Sequence, residues 1–158
     1  MRILFILISF FSYAEKLESL PKSIKDLDNI PESSDEKFKK QTSVLVLTKC
    51  GGASLLMKDE KGDFWDETAN GFLRMAIFAE LDAGLDHEEY AKIIDKASIK
   101  NKELIKAKRD EYSKLVRDID PKDFVGEPPA YTLLREDLDY CLLFTETELW
   151  KEVNFDLL

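Results

Sequence analysis

Apolar residues recur at three- and four-residue steps along most of the chain, and a helix with 3.6 residues per turn gathers such steps onto one face. In "DEKFKKQTSVLVLTKCGGASLLMK" the stripe is Phe38, Thr42, Leu45, Val46, Cys50, Ala53 and Met57, with Ser33 or Ser34 ahead of it as a cap. The run Val44 to Leu47 also suits a buried strand, so both readings stand for that stretch. Gly51 and Gly52 each cost about 1 kcal/mol inside a helix. They are expected where a neighbouring helix comes close, since no phosphate-loop lysine follows them at the required spacing.

"KDEKGD" then reads as a turn, with Asp63 capping a second helix whose face is Trp65, Ala69, Phe72, Leu73, Ala76 and Leu81. Gly84 and Leu85 resemble a glycine stop with its hydrophobic contact. Asp86-His87-Glu88-Glu89 opens the next helical rhythm. It runs through Tyr90, Ile93, Ile94, Ala97, Leu104, Ile105, Tyr112, Leu115, Val116 and Ile119 to Pro121. This is one long helix or two joined near Ser98 to Asn101. "DPKDFVGEPPAY" interrupts the pattern, after which Leu134, Leu138, Cys141 and Leu142 share a face. Thr145-Glu146-Thr147-Glu148 reads as a capping box for a last helix carrying Leu149, Trp150 and Val153. The fold predicted is all-α: a small helical bundle of about five helices with one disulfide. The apolar steps are too irregular to favour a coiled coil.

The first residues depart from this rhythm. "MRILFILISFFSYA" has a basic start, an unbroken apolar run from Ile3 to Phe11 and small residues at the positions a signal peptidase reads, so residues 1–14 are expected to be a signal peptide. A bilayer-spanning helix needs about 20 apolar residues, and charge follows at once in "EKLESLPK". Residues 15–34, broken by Pro21 and Pro31 and rich in Ser, Lys and acid, read as a flexible N-terminal arm. Residues 35–158 read as a single helical domain. The expected location is periplasmic or secreted, with no stable membrane insertion after signal cleavage. A net charge of -9 would be repelled by phosphate backbones and anionic lipid, so nucleic acid is a poor partner and a basic protein a better one.

Export changes the meaning of the cysteines. Cys50 and Cys141 are the only two, and an oxidising compartment makes one bridge between them the simplest pairing. The other reading, a reactive Cys50 thiol, has only His87 as a base, and that residue stands at a helix start far along the chain. Closing a loop of about 90 residues would stabilise the fold by about 4 to 5 kcal/mol in the chain-entropy model.

Little other chemistry is offered. Glu136, Asp137 and Asp139 cluster, and Glu136 with Asp139 would share a helix face, where a solvated surface is the ordinary outcome. The acidic turn Asp59 to Asp63 fails as a calcium loop, because counting back from Gly62 puts Met57 at the first ligand position. With one histidine and two paired cysteines a zinc site lacks ligands. No catalytic residue, metal site or cofactor is therefore assigned, and the chain is not expected to be an enzyme. Trp65 and Trp150 fall at helical spacing and are expected in or half in the core. The Pro-stiffened connection offers a partner surface, with Phe124 and Tyr131 as anchors beside Asp123 and Glu127. Its competing reading is a spacer that sets the angle of the Cys141 helix.

The segment "LDYCLLFTETELWKEV", with a cysteine on one helix, a Thr-capped turn and "EL" on the next, resembles the C-terminus of periplasmic immunity proteins for type VI secretion amidases, the Tai family. "KCGGASLL" resembles the segment that supplies the other half of that family's disulfide. The resemblance implies a helical, exported and homodimeric protein that blocks a cell-wall amidase, a basic secreted hydrolase, by inserting a protruding segment. It carries over Cys50 and Cys141 only. The function expected is an exported binding or inhibitor protein of the immunity type, and the alternative is a structural or envelope-maintenance helical protein without enzymatic activity.

Overall fold

The computed structural model describes residues 20, 36–81, 87–118, 122 and 125–154. The expectations drawn on residues 1–14, on 15–34 apart from Leu20, on Gly84 to Asp86, on Ile119 and Pro121, on Asp123 and Phe124, and on the side chains of Phe38 and His87 lie outside these residues. The described chain is all-α. Five helices follow in order: α1 (Glu36–Lys61), α2 (Asp63–Glu80), α3 (His87–Arg117), α4 (Pro129–Thr145) and α5 (Glu148–Val153). No described residue is in a strand.

α1 is the hub, packing against α2, α3 and α4. That position explains its sequence. A helix covered on several sides carries apolar and small residues all round rather than on one stripe, and Val46 to Ser54 are buried without a break. The same continuity made Val44 to Leu47 look like a strand, and the structure resolves it as helix. It also corrects the stripe. Leu45 is 46% exposed, whereas Val44, Leu47 and Thr48 are buried. Thr48 satisfies its hydroxyl by donating to Val44 O at 2.8 Å, which lets a polar residue sit inside.

Gly51 and Gly52 are where α3 closes on α1. A Cβ on Gly52 would stand 2.6 Å from Lys108 Cβ and 2.8 Å from the backbone nitrogen of Arg109. Only glycine permits that approach, as the sequence suggested. At the other end α1 runs three residues past Lys58, so "KDEKGD" is not a turn of its own. The reversal is made at Gly62 (φ 91°), a value L side chains rarely adopt. Asp63 is therefore the first residue of α2, not its cap, and no side chain caps that end. Asp63 and Asp66 sit instead in the first turn, where the positive end of the helix dipole favours acids.

α3 is one unbroken helix. The polar stretch near Ser98 to Asn101 does not break it because α2 holds it there. Lys100 Nζ and Asn101 Nδ2 donate to Glu80 Oε1 at 2.9 Å and 3.0 Å. α5 is capped by Thr147, whose Oγ1 accepts from Trp150 N at 3.2 Å. Thr145, the residue expected to cap it, is the last of α4 and donates to Leu142 O at 2.7 Å. The cap is thus two residues later than expected, and with Trp150 three positions on it is a single cap rather than a capping box.

Two clusters fill the interior. One joins Leu20, Val46, Leu47, Phe72, Met75, Ala76 and Trp150 around the two cysteines. The other joins Ala53, Tyr112, Leu134 and Leu138, with Met57, half-buried Trp65 and Val116 against them. Cys50 and Cys141 lie at disulfide distance, S–S 2.01 Å and Cα–Cα 5.4 Å, and tie α1 to α4. Leu20 is the described part of the stretch read as an arm, and it is fully buried.

Candidate functional site

α2 and α4 both lie against α1, and between them runs an apolar groove of about 500 Å³. Val46 and Leu47 of α1 and Met75 of α2 line it while nearly fully buried, which makes them its floor. Phe78 of α2, 51% exposed, and Leu149 of α5, 43% exposed, form the rim. Tyr140 and Phe144 supply the α4 wall. That wall is stiffened from behind: Tyr140 meets Phe144 edge to face at 5.5 Å, Phe144 meets Phe72 at 6.5 Å, and Phe72 meets Trp150 at 4.9 Å. The side-chain polar atoms of the lining belong to Thr42, Ser43, Tyr140 and Thr147, and no charged side chain is among the described lining residues. A lining of this kind holds apolar groups and orients them with hydroxyls.

Charge begins just outside. Exposed Asp139, Glu146 and Glu148 stand next in sequence to lining residues, against one exposed base so placed, Arg74, and the chain as a whole carries -9. An occupant with basic flanks is therefore favoured electrostatically.

The carboxylate trio of α4 divides. Glu136 and Asp139 are exposed, as a solvated face requires, but Asp137 is 0% exposed. Asp137 Oδ1 accepts from the main-chain N–H of Leu20 at 2.6 Å, and Oδ2 accepts from the Tyr112 hydroxyl at 2.6 Å. Burial raises its pKa above the ordinary carboxylate value, against the Tyr112 and Leu20 hydrogen bonds and the charge of buried Lys49, which lower it. Burial, and then the charge of Asp137, raise Tyr112 well above the ordinary tyrosine value. Asp137 falls on the buried stripe, three residues after Leu134 and four before Cys141, and that spacing was the signal available in the sequence.

Of the loop residues read as a partner surface, Glu127 and Tyr131 are described. Glu127 is exposed and engaged within its own chain, accepting from Thr132 Oγ1 at 3.1 Å and pairing with Arg135 at 3.0 Å. Tyr131 is half-buried in the first turn of α4. Neither lines the groove. Among the described residues no three His, Cys, Asp or Glu side chains gather as a metal-holding group, and no helix is long and apolar enough to cross a membrane. No family model, curated protein or solved structure matches the chain.

Proposed function

We propose that the protein is an exported binding protein that seats an apolar segment of a basic protein partner in the groove between α2 and α4, and acts as an inhibitor of that partner. The observation that carries the reading is the groove itself. Its floor is buried, its wall is backed by packed rings, and its rim leaves Phe78 and Leu149 open to solvent. A site ordered before binding loses less entropy when occupied, and an exposed aromatic such as Phe78 is of a type enriched at interfaces. Export is supported by the signal-like residues 1–14 and by the cysteine pair at disulfide distance. The resemblance to amidase immunity proteins adds a partner class to this reading: a secreted cell-wall hydrolase.

The test uses Phe78→Asp with Leu149→Asp, two exposed positions whose replacement leaves the core intact. Wild-type protein immobilised in a periplasmic extract should retain a basic protein that the double variant does not. Added to that purified protein with peptidoglycan, the wild type should suppress cleavage and the variant should not. Equal retention by both forms would remove the groove from the proposal. Retention without any effect on wall cleavage would remove inhibition and favour an envelope-maintenance role.

A further inference from the structure

The three helices that form the groove turn side chains into it at three- and four-residue steps: Thr42 and Val46 on α1, Met75 and Phe78 on α2, Tyr140 and Phe144 on α4. Such rows are the ridges between which the side chains of a further helix fit. The main chain around the groove, in contrast, has nothing to offer an occupant. Helical N–H and C=O groups pair within their own helix, and no described residue is in a strand, so no described edge is open to an added strand. Even at the C-terminal end of α4, where carbonyls lose their helical partners, Leu142, Leu143 and Phe144 O accept from Thr145 Oγ1, Glu146 N and Thr147 N. The hydroxyl of Thr147 is also engaged, donating to Phe144 O and accepting from Trp150 N. An extended segment laid on the apolar floor would leave its own N–H and C=O groups on that side without partners, which is costly. A helix arrives with those groups already paired.

The charges around the groove are arranged unevenly. Exposed Asp139, Glu146 and Glu148 follow or precede lining residues of α4 and α5, whereas exposed Arg74 precedes Met75 on α2. Glu148 pairs with Lys151 at 2.7 Å on the open surface, so Asp139 and Glu146 set the sign of that side. We infer that the groove receives an amphipathic helix of the partner, with apolar side chains at three- and four-residue steps facing α1 and with Lys or Arg along the edge that meets α4 and α5. The inference rests on the groove reading proposed above. An acyl chain with an anionic head would meet the same acids and be repelled.

The test selects a phage-displayed library of random peptides, about 15 residues long so that a helix can form, on the oxidised full chain. Sequences are counted when they are enriched on wild type over Phe78→Asp with Leu149→Asp. They should carry apolar residues at i, i+3 or i+4, and i+7, with Lys or Arg along one edge. A synthetic copy of the best should gain helical circular dichroism on binding, and a proline at its centre should weaken it at least tenfold. Asp139→Lys with Glu146→Lys should weaken it about threefold or more at low salt, an effect that added salt removes, and unchanged affinity there would overturn the basic edge. Sequences with apolar residues at alternate positions, or rich in proline, that still need Phe78 and Leu149 would overturn the helix and leave the groove reading in place. No sequence enriched over the double variant would overturn the groove reading, and the helix with it. Sedimentation of wild type as a dimer that Phe78→Asp with Leu149→Asp dissolves, or saturable binding of dodecanoate that the same variant abolishes, would overturn the helix by giving the groove to a second copy or to an acyl chain.

Discussion

A carboxylate inside a protein is costly unless its oxygens find donors, and Asp137 has one donor for each oxygen. Replacing it by alanine leaves the Leu20 N–H and the Tyr112 hydroxyl buried without an acceptor. At about 1 to 3 kcal/mol for each of the two orphaned groups, Asp137→Ala should destabilise the protein by about 2 to 6 kcal/mol, read from urea unfolding. The pH dependence follows from the direction of each shift. Tyr112 is raised in the folded state, so its contribution to stability is complete below the ordinary tyrosine pKa of about 10 and is lost as pH rises beyond it, where the unfolded chain ionises and the folded one does not. The stability advantage of wild type over Tyr112→Phe should therefore shrink between pH 9 and pH 11, on the order of one unit either side of that value. Asp137 is also raised, and for the same reason its contribution grows as pH falls through its folded value toward the ordinary one, opposite to a surface carboxylate held in an ion pair. An advantage of wild type over Tyr112→Phe that stays flat to pH 11 would show that Tyr112 is not held neutral.

Helix packing fixes what the elements tolerate. Gly52→Ala gains about 1 kcal/mol of helix propensity, but its methyl meets Lys108 Cβ and the α3 backbone below 3 Å. Overpacking of about 1 to 3 kcal/mol should win, so thermal unfolding should move down, whereas the same change on a free helix face would move it up. The cross-link between α1 and α4 should be worth about 4 to 5 kcal/mol by loop-closure entropy, read as the loss in Cys50→Ser with Cys141→Ser. Unreduced, denatured wild type should show no thiol to a labelling reagent. The helices and their order were legible because period and spacing are local, and the cysteine pair because the chain has only two cysteines to join. What misled was context. Leu45 obeys the period of its neighbours yet faces solvent, because a hub helix is buried over an arc set by three partners. Asp63 and Thr145 have the chemistry of caps, but the backbone turned at Gly62 and Thr147 instead. Asp137 looked like surface because its type outweighed its place on the stripe.

The groove itself was not read from the sequence, since a gap between α2 and α4 is a property of how three helices diverge. Its trace in the sequence is a surplus of large apolar residues off the buried faces, Phe78 and Leu149 among them. Filling the gap should distinguish a binding site from idle space. Ala79→Phe places a ring in the lining, and it should block partner retention while leaving the urea midpoint within about 1 kcal/mol equivalent of wild type, because the position is only half-buried. Retention unchanged by that ring would place the partner elsewhere on the molecule.

Leu20 and Asp137 are also far apart in time. In a chain that emerges amino end first, Leu20 appears 117 positions ahead of its seat at Asp137 on α4. Cys50 would wait in the same way for Cys141, 91 positions behind it. A partial chain that lacks Cys141 and Trp150 cannot complete the first core cluster, so the polypeptide stays pliable until α4 and α5 have emerged. A chain released after residue 130 should accordingly be digested at once by protease under conditions that spare the full-length protein, and a resistant core in that fragment would show that closure begins earlier.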